Sequence, residues 1–168
     1  PASLAIYAGK EMSKDNGPVS SVIKVDQFDT HAGQGSEEYS NFGTQLAIVD
    51  DIIAGYKEGL GDAWDRSIIL TLTEFGRTVA VNGSLGTEHG YGSVGLLAGG
   101  SIAKSRVLTK WPGLAINEQF EGRDLMATLD YRSVCAACIE KALGLDHDLI
   151  ASEVFFTPKL PRIHDYIF

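Results

Sequence analysis

Six side chains carry most of the chemistry in this sequence: Asp29, His31, Glu74, Arg77, Glu88 and His89. They fall in three short runs, Asp29-Thr30-His31, Glu74-Phe75-Gly76-Arg77 and Thr87-Glu88-His89-Gly90. Imidazole and carboxylate donors without thiolate suit zinc, manganese or iron, and carboxylate-rich subsets suit magnesium or calcium. In extended chain Asp29 and His31 point to one side, because strand side chains alternate with period two. Such a pair begins a metal site or makes an ordinary ion pair. Arg77 stays protonated and is no ligand, but its guanidinium is suited to gripping a phosphate or sulfate bidentately. Without a metal, His31 and His89 are a general acid and base. A solvated charged loop is the plainest alternative. No nucleophile elbow, P-loop or dinucleotide fingerprint accompanies the glycines.

These runs need elements to hold them. Val19–Val25 and Ile68–Thr73 are apolar and β-branched, which reads as strand. Between them, Glu37–Lys57 has a helical face of Phe42, Leu46, Val49, Ile52, Ile53 and Tyr56. Strand, long helix, strand is the rhythm of a parallel sheet, and chemistry gathers past the carboxyl ends of such strands. The expected fold class is therefore α/β, a mostly parallel sheet flanked by helices. Ser3–Met12 reads as another helix, broken by Lys14–Pro18, and Ser93–Ala98 as a third strand. Ile102–Leu108 reads as a short strand or irregular chain. Asp124–Leu143 reads as a second long helix with Gly144 as its stop. The remaining tail, with Pro158 and Pro161, reads as an extended wrap, and His147 and His164 as structural.

The bulk numbers narrow the field. A chain of 168 residues, 44% hydrophobic, suits one domain with its own core. A formal charge of −8 argues against nucleic acid and anionic membrane surfaces as natural partners. No apolar run approaches the roughly 18 residues that a membrane span requires. Cys135 and Cys138 sit in a helical pattern beside apolar neighbours, so small core residues are favoured over a redox or zinc pair. Because Pro1 stands first, a processed chain or a piece of a longer one is expected, and a missing leader says little about location.

Longer motifs run through the same residues: F-D-T-H-A-x-Q, L-T-L-T-E-F-G-R-T-x-x-x-N-G-x-x-G-T-E-H-G, L-L-A-G-G, W-P-G-L, E-G-R-D-L and D-x-R-S-V. In this order, from about Ala5 to Leu145, the chain resembles the C-terminal half of the bacterial proteins called domain of unknown function family 1501. That resemblance implies export by the twin-arginine route, a periplasmic or exported location, and the alkaline-phosphatase-like superfamily with its fold. Such proteins often carry two metal ions that activate a Ser or Thr for phosphoryl or sulfuryl transfer. By resemblance, Asp29 and His31 match one metal's carboxylate and imidazole, and His89 a later metal-binding histidine. Glu74-Phe75 stands near an expected Asp-His pair, and Glu88 where the family usually has Asp. The expected nucleophile would lie upstream of Pro1.

The expectation is thus a metal-dependent hydrolase of small phosphate or sulfate esters, using a divalent metal such as zinc or manganese. Asp29, His31 and His89 are the expected ligands, Glu74 and Glu88 further ligands or their partners, and Arg77 the catalytic contact to the ester anion. The alternative is a binding or scaffold protein that keeps the fold without the chemistry, with Glu74 and Arg77 paired across the loop. Composition fixes no oligomeric state.

Overall fold

Helix α1 (Ala2–Met12) packs along helix α2 (Asn41–Leu60) in the computed structural model, which describes residues 1–168. The two helices approach closely because small residues recur one turn apart on both. A Cβ at Gly59 would lie 2.2 Å from the Ile6 carbonyl oxygen, and one at Gly9 would lie 2.9 Å from the Gly59 backbone. Around this crossing Ala5, Ile52, Tyr56, Leu60 and Ala63 form a buried cluster. Ser40 caps α2, its Oγ accepting the Gly43 N–H at 3.1 Å, so the helix begins after the Glu37 expected from periodicity.

The expected α/β architecture does not form. There is no mostly parallel sheet flanked by helices and no alkaline-phosphatase-like layering. Instead there are two separate antiparallel ladders of two residues per strand. Strand β1 (Ile69–Leu70) pairs with β4 (Leu97–Ala98), and β2 (Gly76–Arg77) pairs with β3 (His89–Gly90). Val19–Val25 forms no strand. Ile23 and Val25 lie against the α1–α2 cluster, while Val19 and Val22 are 81% and 94% exposed. An apolar, β-branched run records side chains that seek burial, and a helix pair satisfies that demand without a neighbouring strand.

Helix α3 (Tyr131–Leu143) starts where the Asp130 side chain accepts the Arg132 N–H, so Asp124 to Leu129 lie outside it. It ends as expected at Gly144, whose φ of 64° is left-handed. The tail is not an extended wrap. It folds into α4 (His147–Leu149), a wider helical turn over Ile150–Val154, and α5 (His164–Ile167). These bury Ile150, Ala151 and Leu160 against Ala136, and Ile163 and Ile167 against Ala137. His147 is buried, with Nε2 2.9 Å from the Leu160 carbonyl oxygen. Cys135 and Cys138 are free, and burial raises both thiols, Cys138 to about 12. In all, 23 of 168 residues are buried, in three small clusters and scattered positions instead of one continuous core. No helix is long and apolar enough to cross a membrane.

Candidate functional site

Two loops that are distant in sequence are stitched side by side to make the site. The Thr87 N–H donates to the Thr30 carbonyl at 3.1 Å, Gly33 N–H to Ser84 at 2.8 Å, and Gln34 N–H to Leu85 at 2.9 Å. Gly86 permits this approach, since a Cβ there would fall 2.3 Å from the His31 carbonyl carbon. The carboxamide of Gln34 fastens the seam, its Oε1 accepting both Thr30 Oγ1 at 2.9 Å and Thr87 Oγ1 at 2.8 Å. Across the β2–β3 ladder Arg77 stands opposite His89. A hairpin and a cross-loop seam therefore bring together the residues of all three sequence runs except Glu74.

Their convergence centres on one oxygen. Asp29 Oδ1 lies 2.9 Å from His31 Nε2, 2.9 Å from His89 Nε2 and 2.9 Å from an Arg77 terminal nitrogen. One donor atom from each of Asp29, His31 and His89 lies within 4.8 Å of the others. Neighbouring ligand atoms around a tetrahedral zinc are ~3.3 Å apart for bonds of about 2.0 Å, and the two imidazole contacts to Asp29 Oδ1 are near that spacing. The three side chains are about half exposed, which leaves the cluster open to solvent.

The surroundings fix how each imidazole faces the cluster. His31 Nδ1 lies 2.7 Å from Glu88 Oε2, and Glu88 Oε1 accepts from Asn82 Nδ2 at 2.5 Å. Asn82 also donates to the His31 carbonyl at 2.8 Å, while its Oδ1 accepts the Ser84 and Gly86 N–H groups. His89 stacks on Phe75, ring centroids 3.7 Å apart and planes 14° from parallel. Desolvation acts to raise the Asp29 carboxyl, but hydrogen bonds from His89 and Arg77 and the charges of both imidazoles outweigh it, holding it below the ordinary 3.8. The hydrogen bond from Asn82, then that from His31, hold Glu88 below its ordinary 4.5.

This donor set fits a metal on chemical grounds. When His31 Nδ1 donates to ionised Glu88, a neutral ring presents the Nε2 lone pair toward Asp29 Oδ1. Two acceptors 2.9 Å apart repel unless a proton or a cation joins them. Asp29, His31 and His89 thus form a triad able to hold a metal ion, with Glu88 orienting an imidazole from behind as carboxylates do in such sites.

Glu74 lies outside the triad on an exposed stretch, with Lys24 feeling its charge. Arg77 is committed to the protein. It donates to the carbonyls of Thr87 at 2.9 Å and Phe28 at 2.5 Å and pairs with Asp29, not with Glu74. Its guanidinium also lies 5.0 Å from the Phe75 ring centroid. Gln34 and Asn82 were not singled out from the sequence because neither titrates. Both nevertheless occur in the runs F-D-T-H-A-x-Q and N-G-x-x-G-T-E-H-G, whose uncharged amides were the available signal.

A family profile described as "Protein of unknown function (DUF1501)" matches residues 12–148. The chain belongs to the DUF1501 family. The matched span includes every residue of the triad, the seam and the β2–β3 ladder of this DUF1501 protein. No curated protein and no solved structure matches it.

Proposed function

We propose that this DUF1501 protein holds a divalent metal, zinc or manganese, at Asp29, His31 and His89, and uses it to bind and hydrolyse a phosphate or sulfate ester. The observation that carries the reading is the meeting of two imidazole Nε2 atoms at Asp29 Oδ1, with Glu88 behind one ring. A divalent ion there would supply Lewis acidity toward an ester oxygen. Asp29 contributes negative charge and His31 and His89 neutral nitrogen donors, while Glu88 keeps the His31 Nδ1 proton in place. Arg77 clamps the Phe28 and Thr87 backbones and so positions Asp29. The motif resemblance that suggests ester chemistry also suggests export to the periplasm.

The test is metal content by mass spectrometry on protein purified without chelator, followed by turnover of p-nitrophenyl phosphate and p-nitrophenyl sulfate. Near-stoichiometric metal that falls in His89→Ala and Asp29→Asn is the expected result. Absence of metal after reconstitution would exclude the hydrolase. The second reading, a binding or scaffold protein, is favoured by one observation: the guanidinium expected to meet the ester anion is spent on backbone carbonyls and Asp29. Metal without turnover of either ester would favour it.

A further inference from the structure

A cleft of about 380 Å³ opens beside the triad. Asp29 and His31 line it, so the candidate metal ligands form part of its wall, together with Gln27, Thr30, Asn41 and Gln45. Asn41 and Gln45 are one turn apart at the start of α2 and therefore share a face. Asn41 spends one donor on the Gly33 carbonyl at 2.9 Å, leaving its amide oxygen available. Gln27 and Gln45 make no side-chain hydrogen bond to the protein, so both carboxamides are free to meet a ligand.

The lining also says what does not belong there. Only one of its seven residues is hydrophobic, which disfavours an apolar group. None is Phe, Tyr or Trp, and the one aromatic ring, His31, is held between Asp29 and Glu88, so a nucleobase would find little to stack on. No lysine or arginine lines it, and Arg77 is turned to Phe28, Asp29 and Thr87, so a second anionic group would find no cationic side chain. What remains is neutral matter rich in hydrogen bonds. A carboxamide sets a donor beside an acceptor, and a hydroxyl both donates and accepts, so free amides complement adjacent hydroxyls on a ring or chain. The volume is at the small end for ligand sites, suited to one sugar unit.

We propose that this cleft binds the hydroxylated portion of a sugar or polyol ester, held by Gln27, Asn41 and Gln45, with the ester group directed to Asp29, His31 and His89. The ester end rests on the metal-site reading above, whereas the hydroxylated end does not. The substrate class thereby narrows from small anionic esters to polyhydroxylated ones.

Side-chain amide signals of Gln27, Asn41 and Gln45 in the ¹⁵N-labelled chain provide the test. The chain is titrated with glucose, galactose and mannose 6-phosphates, and separately with phenyl phosphate, each with zinc and with EDTA. At least one hexose phosphate is expected to shift these signals where phenyl phosphate does not. The double variant Gln27→Ala/Gln45→Ala should then bind that hexose phosphate about tenfold more weakly, the loss expected for one or two hydrogen bonds, with its zinc stoichiometry unchanged. The cleft assignment is overturned if no hexose phosphate shifts the signals, if phenyl phosphate shifts them equally, or if the double variant binds as well as the parent. Shifts that persist in EDTA in a chain that takes up no zinc would support the cleft and remove the metal site. Stoichiometric zinc without hexose preference would do the reverse.

Discussion

His31 Nδ1 and Glu88 Oε2 lie 2.7 Å apart although 57 positions separate them in the chain. Neither loop alone could orient the imidazole, because the carboxylate that holds it arrives on the other loop. Glu88→Gln keeps the side chain's size and removes its charge, so zinc affinity should fall by about 10- to 100-fold, the usual loss when a ligand's orienting partner is removed. Chelator competition measures this. An affinity within twofold of the parent would mean that Glu88 does not support the site.

Phe75 holds the second imidazole by contact, not by charge. Its ring covers His89 at 3.7 Å and also faces the Arg77 guanidinium. Phe75→Leu keeps apolar bulk and removes the flat face, so His89 should gain rotamer freedom and zinc affinity should drop while Asp29 and His31 stay in place. Ring signals of His89, followed by NMR with and without zinc, check it. Retained ring order in the variant would show that the stack is incidental.

Acid should loosen the seam before it reaches the helices. Asp29 and Glu88 are held below 3.8 and 4.5, so on acidification the unfolded chain takes up their protons first. Their contribution to stability is full above these values and is lost as pH falls through the lower folded ones. Amide protection of Gly33, Gln34 and Thr87, all bonded across the loops, should fall more between pH 6 and pH 3 than that of α2, once the pH dependence of intrinsic exchange is divided out. In Asp29→Asn/Glu88→Gln that extra loss of protection should shrink.

Helix packing offers a sharper test. Gly59→Ala gains up to about 1 kcal/mol in helix propensity. The new Cβ, however, would lie 2.2 Å from the Ile6 carbonyl oxygen. Overpacking of this kind typically costs about 1–3 kcal/mol, so the variant should be the less stable protein in thermal or urea unfolding. A stabilised variant would mean that α1 and α2 do not meet as described.

The sequence was informative where a local rule acts on local residues. Ser3–Met12, the body of α2, and Gly144 as the stop of α3 followed from periodicity and capping. It misled where a partner decides the outcome. Val19–Val25 carries strand composition but has no strand beside it, and its alternate residues rest on helices instead. The prolines of the tail suggest extended chain, yet its helical turns bury Ile150 and Ile163 against α3. At the site, charge marks Asp29, His31, Arg77, Glu88 and His89 in the sequence, and the fold brings them together. Charge marks Glu74 equally, but it lies outside the cluster. Gln34 and Asn82 join the loops through amides that carry no charge, and nothing in titration chemistry marks them.

Three small clusters in place of one core leave this chain unusually wet. Its accessible surface is 11052 Å² for 18.0 kDa, against about 8,000 Å² for a typical folded monomer of that mass. The unfolded chain would expose about 26,000 Å², so folding hides roughly a sixth less surface than its size would suggest. The urea slope of unfolding scales with the surface newly exposed. This protein should therefore unfold over a broader range of denaturant than its length implies, and the helix pair and the C-terminal helices should let go at different concentrations.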